Sequence, residues 1–178
     1  RNLYFKKKGT YVVGCEVPIV VAPNLRLNRV KYMGYLDVVF YHEGTNTFKI
    51  IDIKTSTKGW NAYTKSDEEK QFQLILYKMF FAQQFGIPEK DIDIEFFIVR
   101  RKVYTDGDYP QKPIQEFKPP SGKIKMGRAT KALNEFIESC FVGNTYSEKE
   151  MLPNPSKWNC TFCPYKEKKE LCSFGHIS

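Results

Sequence analysis

Three residues of this chain have types and spacing that could do chemistry: Asp37, Asp52 and Lys54. Asp37 sits in GYLDVVFY (Gly34 to Tyr41), and the other two sit in FKIIDIKTS (Phe48 to Ser56). A short EGTN turn, Glu43 to Asn46, separates the two segments. In a strand, side chains alternate faces, so Asp52 and Lys54 share one side while Ile51 and Ile53 share the other. A hairpin brings Asp37 beside them. Two carboxylates can hold a hard divalent cation through oxygen. A lysine next to such a cation can polarise a water or a phosphate oxygen. Together these groups can hydrolyse a phosphodiester.

Strand D-x-K pairs also occur as ordinary solvated faces. The flanking residues oppose that reading. Val38, Val39, Phe40, Ile50, Ile51 and Ile53 make both strands apolar at nearly every position except the charged ones. Strands of that kind are expected to be buried on both faces. A charge within them then needs a partner or a metal.

The elements that must position these residues follow from periodicity and breakers. Tyr11 to Ala22 reads as a strand, with Pro18 marking an edge position or a bulge. Val30 to His42 and Thr47 to Thr55 form the hairpin. Ser56 to Ser66 is a polar loop. Ser66 or Asp67 caps a helix that runs to about Phe85, closed by Gly86 and Pro88. Phe72, Ile75, Leu76, Met79 and Phe80 give it an apolar stripe. Ile92 to Arg101 is a further strand. Lys102 to Lys125 is a long loop with some extended structure. Met126 to Phe141 is a second amphipathic helix, with Ala129, Ala132, Leu133, Phe136, Ile137 and Cys140 on its apolar face. The order is three strands, helix, strand, helix and tail, an α/β chain with a mixed central sheet flanked by helices. Residues 1–150 form the core and 151–178 a cysteine-bearing tail.

Net charge is +8 over 178 residues, which suits a polyanionic partner such as nucleic acid. No run of 18 apolar residues occurs, so no membrane span is expected. The basic opening RNLYFKKKGT lacks an apolar stretch after it, so it does not read as a signal peptide. The five cysteines do not read as a disulfide framework. They suggest a metal site in a reducing compartment, hence a cytoplasmic setting, or the host cytoplasm if the chain is viral.

With Gln73 and Tyr77 added, the chain resembles the PD-(D/E)XK nuclease superfamily, and within it the RecB-like exonucleases, a branch that includes phage recombination and CRISPR-adaptation nucleases. The matching elements are G-x-x-D (Gly34 to Asp37), D-x-K followed by T-S (Asp52 to Ser56) and Q-x-x-x-Y (Gln73 to Tyr77), with Glu16 of GCEVPI in an earlier strand. The resemblance implies a restriction-endonuclease-like fold. It implies Mg²⁺ or Mn²⁺ held by Asp37, Asp52 and the Ile53 carbonyl. Lys54 would position the attacking water, and Glu16 would be an outer or second-metal carboxylate. Gln73 and Tyr77, four apart on one helix face, would organise the lysine. The implied partner is DNA, at ends or as single strands, together with other recombination or replication proteins. The histidine ligand that many members carry on an earlier helix has no counterpart here. His42 ends the Asp37 strand and reads as a turn residue. A non-catalytic nucleic-acid-binding module of a larger complex is the competing reading.

The tail carries Cys160-x2-Cys163, then Cys172 and His176. Three sulfurs and an imidazole suit a closed tetrahedral Zn²⁺ site. The alternative, implied by the resemblance, is a [4Fe–4S] cluster that recruits an upstream cysteine, for which Cys15 is the candidate. Unmetallated thiols are the third possibility. Cys140 reads as a core residue. Lys58, Trp60, Tyr63 and Lys65 follow Lys54 closely, and the aromatics among them could stack on unpaired bases.

Overall fold

The structure is a computed structural model that describes residues 9–23, 30–106, 110–142, 145–146, 157–168, 170 and 172. Its contacts divide the chain into two units, Arg1–Phe136 and Ile137–Ser178. The domain boundary expected at residue 150 lies outside the described residues.

In the first unit, β1 (Thr10–Val21), β2 (Tyr32–His42), β3 (Thr47–Ser56), β4 (Ile92–Arg100) and β5 (Ile114–Phe117) form one sheet in that spatial order. The β1–β2, β2–β3 and β4–β5 pairs are antiparallel, and β3–β4 is parallel. A parallel neighbour needs a long crossover, because the chain must return to the sheet's starting end. Two helices supply it: α1 (Ala62–Ser66) and α2 (Glu68–Phe85). The expected polar loop therefore contains a short helix. Asn61 caps it, its side-chain oxygen accepting from Thr64 N–H at 2.8 Å.

Asp67 caps α2 by accepting from the Glu69 and Lys70 amides. Gly86 ends the helix in the left-handed region, φ 66°, where a residue without Cβ is unstrained. The expected stripe on α2 is too narrow. Leu74, Tyr77, Phe81, Gln71 and Lys78 are buried as well, whereas Phe72 and Met79 are only half-buried. The reason is that α2 has two neighbours. One side packs on the sheet, through contacts such as Phe48 with Phe81. Another meets α3 (Lys123–Cys140), where Thr130 Oγ1 reaches Met79 Sδ and both Lys125 and Arg128 pair with Glu68. The core cluster joins Ile19, Leu36, Val39, Ile50, Leu74, Ile75, Phe81, Phe96, Ile98 and Ala129.

α3 starts three residues before its expected first residue, Met126. Ala129, Ile137 and Cys140 are buried as read from the sequence, but Phe136 is 59% exposed and is not a core residue. Two-sided burial of the central strands holds at Ile50 and Ile51 and fails at Ile53, which is 44% exposed. Ile53 lies beyond the last β2–β3 pair, so no β2 neighbour shields it.

β1 is an edge strand, as Pro18 suggested. Its free edge is managed locally. The Gln84 carboxamide accepts from Val20 N–H at 2.7 Å and donates to the Pro18 carbonyl at 3.0 Å, occupying groups that another strand could take. The register with β2 shifts between Val12 and Gly14.

In the second unit, α3 ends and is followed by β6 (Phe141–Val142), which pairs with β7 (Thr145–Tyr146), and by α4 (Lys157–Thr161). No helix among the described residues is long and apolar enough to cross a membrane.

Candidate active site

β2 and β3 pair from His42 with Thr47 up to Val38 with Ile51. The next residue on each strand is an aspartate, Asp37 and Asp52. Here the ladder changes hands. Ile53 N–H donates to Asp37 Oδ2 at 2.6 Å, so a carboxylate takes the position a backbone carbonyl would hold. That bond fixes Asp37 at the parting of two central strands.

Asp52 is 3% exposed. Its Oδ2 is buried without a hydrogen bond. Lys54 Nζ lies 2.9 Å from this oxygen and is its charged partner. Burial pushes the Asp52 carboxyl above the ordinary carboxylate range, and the Asp37 charge adds to the rise. Lys54 opposes both but does not cancel them.

Lys54 is the hub of a short relay. Besides facing Asp52, its ammonium donates to Gln73 Oε1 at 3.0 Å. Gln73 Nε2 in turn donates to the Tyr77 hydroxyl at 3.0 Å. Gln73 and Tyr77 are one turn apart on α2, so both reach the face that overlies β3. A lysine stem has four rotatable bonds. Contacts on two sides hold its charged end in one place. The structure thus brings together Asp37, Asp52, Lys54, Gln73 and Tyr77.

Glu16 stands apart from that group. It falls on β1 between the Cys15–Val38 and Val17–Leu36 pairs, opposite the level of Asp37. It is exposed and has φ 52°, a left-handed conformation that a residue with a side chain seldom adopts. Among the described residues, no three His, Cys, Asp or Glu side chains converge to hold a metal, so Glu16 does not complete a three-carboxylate set. His42 Nδ1 lies 2.9 Å from Thr10 Oγ1, a strand-end contact away from Asp52 and Lys54.

The donor set suits a hard cation. Asp52 is a buried carboxylate whose one charged neighbour on Oδ2 is the Lys54 ammonium, and a buried carboxylate is held by such a partner or by a metal. Beside it stands a second carboxylate and the Ile53 peptide. Mg²⁺ and Mn²⁺ take such oxygen ligands. The residues present therefore fit the metal that the D…D-x-K pattern calls for.

Downstream of Lys54 the expected contact residues separate into two kinds. Trp60 turns inward, with ring centroids 5.0 Å from Phe96 and 6.2 Å from Phe117. The Gln115 side chain grips its backbone at both polar groups, accepting from N–H at 2.7 Å and donating to C=O at 3.0 Å. Trp60 is thus anchored in the fold with its ring half-buried. A lone glutamine in a polar stretch gave no sequence signal for this clamp. Tyr63 is 82% exposed, Lys58 is exposed, and Lys65 lies half-buried over the Phe117 ring.

Among the described residues no three His, Cys, Asp or Glu side chains are placed to hold a metal, and the expected tail centre also needs His176. Cys160 is buried in α4, and Cys163 and Cys172 are half-buried. Backbone turns join Cys163 N–H to Cys160 C=O and Cys172 N–H to Lys168 C=O, but the three thiols do not converge on a common point. Cys15 is exposed on β1, and His176 lies outside the described residues.

A mixed sheet whose central strands part around two aspartates, with a lysine two residues on and a helix above it, is a restriction-endonuclease-like α/β fold. The sequence matches the PD-(D/E)XK nuclease superfamily over residues 3–168, and the chain belongs to that superfamily. No curated protein matches it. Nuclease chemistry on DNA with Mg²⁺ or Mn²⁺ is typical of the superfamily.

Proposed function

We propose that this chain is a divalent-metal-dependent deoxyribonuclease, of the RecB-like exonuclease kind, acting in DNA recombination, repair or replication. The observation that carries the reading is the buried Asp52 carboxylate, with the Lys54 ammonium 2.9 Å from its Oδ2 and Asp37 on the neighbouring strand. A fold that only bound nucleic acid would gain nothing from a buried charge with a raised pKa.

Asp37, Asp52 and the Ile53 carbonyl would hold Mg²⁺ or Mn²⁺. When bound, that ion supplies Lewis acidity toward a phosphate oxygen and a more acidic water. The chain's own residues do the rest. Asp37 is locked by the Ile53 amide, so it needs no reorganisation on binding. Lys54 points its ammonium at the same place as Asp52 and orients the attacking water by hydrogen bonding. As charge grows on the non-bridging phosphate oxygens, that ammonium stabilises it. Gln73 and Tyr77 keep the ammonium in position. Glu16, exposed on β1 at the level of Asp37 but apart from the cluster, would act at most as an outer carboxylate. Lys58, Tyr63 and Lys65 meet the DNA, with lysines on phosphates and Tyr63 on an unstacked base.

End-labelled linear, circular and single-stranded DNA, digested with Mg²⁺ or Mn²⁺, test the reading. The expected result is loss of linear DNA with circles spared. Cleavage of circles would replace the exonuclease with an endonuclease. No metal-dependent cleavage of any substrate would overturn the function.

A further inference from the structure

Gly34 begins the G-x-x-D segment, three residues before Asp37. Its φ is not in the left-handed region, so its backbone does not require glycine. What requires it is the space above it. A Cβ built at Gly34 would stand 2.7 Å from Tyr77 Cε1 and 3.4 Å from both Cζ and the hydroxyl oxygen. Real carbon atoms do not approach so closely, and the obstacle is a ring.

That ring has little room to retreat. Tyr77 is 7% exposed. Tyr32 meets it edge-on, with centroids 6.4 Å apart and planes at 75°, and Tyr32 is itself packed on Phe80 at 4.5 Å. The hydroxyl end is the acceptor of the Gln73 amide, and Gln73 Oε1 is the acceptor of Lys54. A displaced ring therefore moves the hydroxyl, the carboxamide and the ammonium together. β2 carries Asp37, and its glycine also seats the ring that determines where Lys54 sits.

We propose that Gly34 is a positioning residue for Lys54, acting through the Tyr77 ring and the Gln73 amide. It touches neither metal nor substrate. The bare backbone at Gly34 sets the depth of Tyr77 against the sheet, and that depth sets the distance from the Lys54 ammonium to Asp52. The inference rests on the nuclease reading for its catalytic consequence, but the coupling itself is a property of the folded chain.

The test uses the whole chain carrying Gly34→Ala, Tyr77→Phe, Tyr77→Leu and the corresponding doubles. Two readouts are needed: the Lys54 side-chain NMR signal, assigned by its loss in Lys54→Arg, and kcat and KM on linear DNA. Gly34→Ala should move the Lys54 signal and lower kcat by about tenfold or more with KM nearly unchanged, the scale expected when a reacting group is misplaced by a fraction of an ångström to an ångström. Tyr77→Phe keeps the ring but severs the hydroxyl link. In that background Gly34→Ala should leave the Lys54 signal and kcat within about twofold of the single variant. Tyr77→Leu removes the ring, so it should restore the melting temperature that Gly34→Ala lowers. If Gly34→Ala does not fold alone, the double with Tyr77→Leu should fold. An unmoved Lys54 signal, equal loss in both backgrounds, or no rescue by Tyr77→Leu would overturn the proposal. A wild-type chain that cleaves nothing, with the Lys54 coupling intact, would instead remove the nuclease reading and leave the positioning role standing.

Discussion

Asp37 and Ile53 are joined by a 2.6 Å hydrogen bond from a backbone amide to a side-chain oxygen, at the level where β2 and β3 stop pairing. The bond does two jobs. It satisfies a strand N–H that has lost its ladder partner. It also orients a carboxylate toward Asp52 before any ligand arrives.

Substitutions at Asp37 separate these jobs. Asp37→Ala leaves the Ile53 amide without its acceptor and should cost about 1–3 kcal/mol of stability. Asp37→Asn keeps an oxygen for that amide, so its stability loss should be well under that of alanine. Both should fail to cleave DNA, because neither side chain brings the negative charge that a hard divalent cation takes from Asp37. Urea denaturation alongside a cleavage assay checks the pair. Equal stability losses would show that the hydrogen bond carries no weight.

Asp52 and Lys54 act on metal and water and add little to packing. Asp52→Ala and Lys54→Ala should each lower the cleavage rate by about 100-fold or more, the scale seen when one charge-stabilising group is removed. Folding and DNA binding should survive in both. Mg²⁺ or Mn²⁺ should raise the melting temperature of the wild type, since a ligand that binds only the folded state stabilises it. Asp52→Ala should show no such rise. Wild-type rates in either purified variant would remove the assignment.

Lys78 gives a pH test away from the site. It is buried in α2, with its Nζ 3.4 Å from Ser121 Oγ. Burial pushes its pKa below the ordinary lysine value, and the nearby Asp93 and Glu89 oppose the shift only in part. The unfolded chain therefore holds this proton more tightly than the folded one. The penalty is present in full while Lys78 is charged in both states, and it fades as pH rises through the depressed value toward the ordinary one. Lys78→Met should gain about 0.5–2 kcal/mol at neutral pH, the usual yield of relieving such a defect. The gain should shrink as pH approaches about 10. Denaturation across that range decides it, and a pH-independent difference would mean that the lysine's charge is not the cause.

What the sequence made legible, and what it hid, follows from range. The D…D-x-K pattern was visible because period-2 alternation puts Asp52 and Lys54 on one side and a tight turn returns the chain past Asp37. The caps of α2 were visible because Asp67 and Gly86 act on their own neighbours. The two-sided burial of α2 was hidden, since it depends on α3 arriving from some 50 residues away in sequence. The tail metal site was read from the spacing of Cys160, Cys163 and Cys172, and its fourth ligand, His176, lies outside the described residues. The anchoring of Trp60 was hidden for a similar reason: its neighbours Phe96, Gln115 and Phe117 come from strands that a local window does not contain.

That anchoring yields a clean contrast between two aromatics three residues apart. Trp60 packs on Phe96 and Phe117, and its backbone is held by Gln115. Tyr63, on the next helix, presents its ring to solvent at 82% exposure. Trp60→Ala should therefore act through the fold. Losing a ring from an aromatic cluster should cost about 3 kcal/mol or somewhat less, given that Trp60 is only half-buried. It should also loosen the Ser56–Asn61 loop that follows the catalytic strand, so any activity loss should track stability and be recovered at lower temperature. Tyr63→Ala should leave the melting temperature unchanged and weaken binding to single-stranded DNA by about 1–3 kcal/mol if one base stacks there. Duplex DNA, whose bases are already stacked, should be bound almost as before. Melting curves and binding to matched single-stranded and duplex oligonucleotides in Ca²⁺ measure both effects. A stability loss in Tyr63→Ala, or equal weakening on both DNA forms, would show that this exposed ring is not a stacking surface.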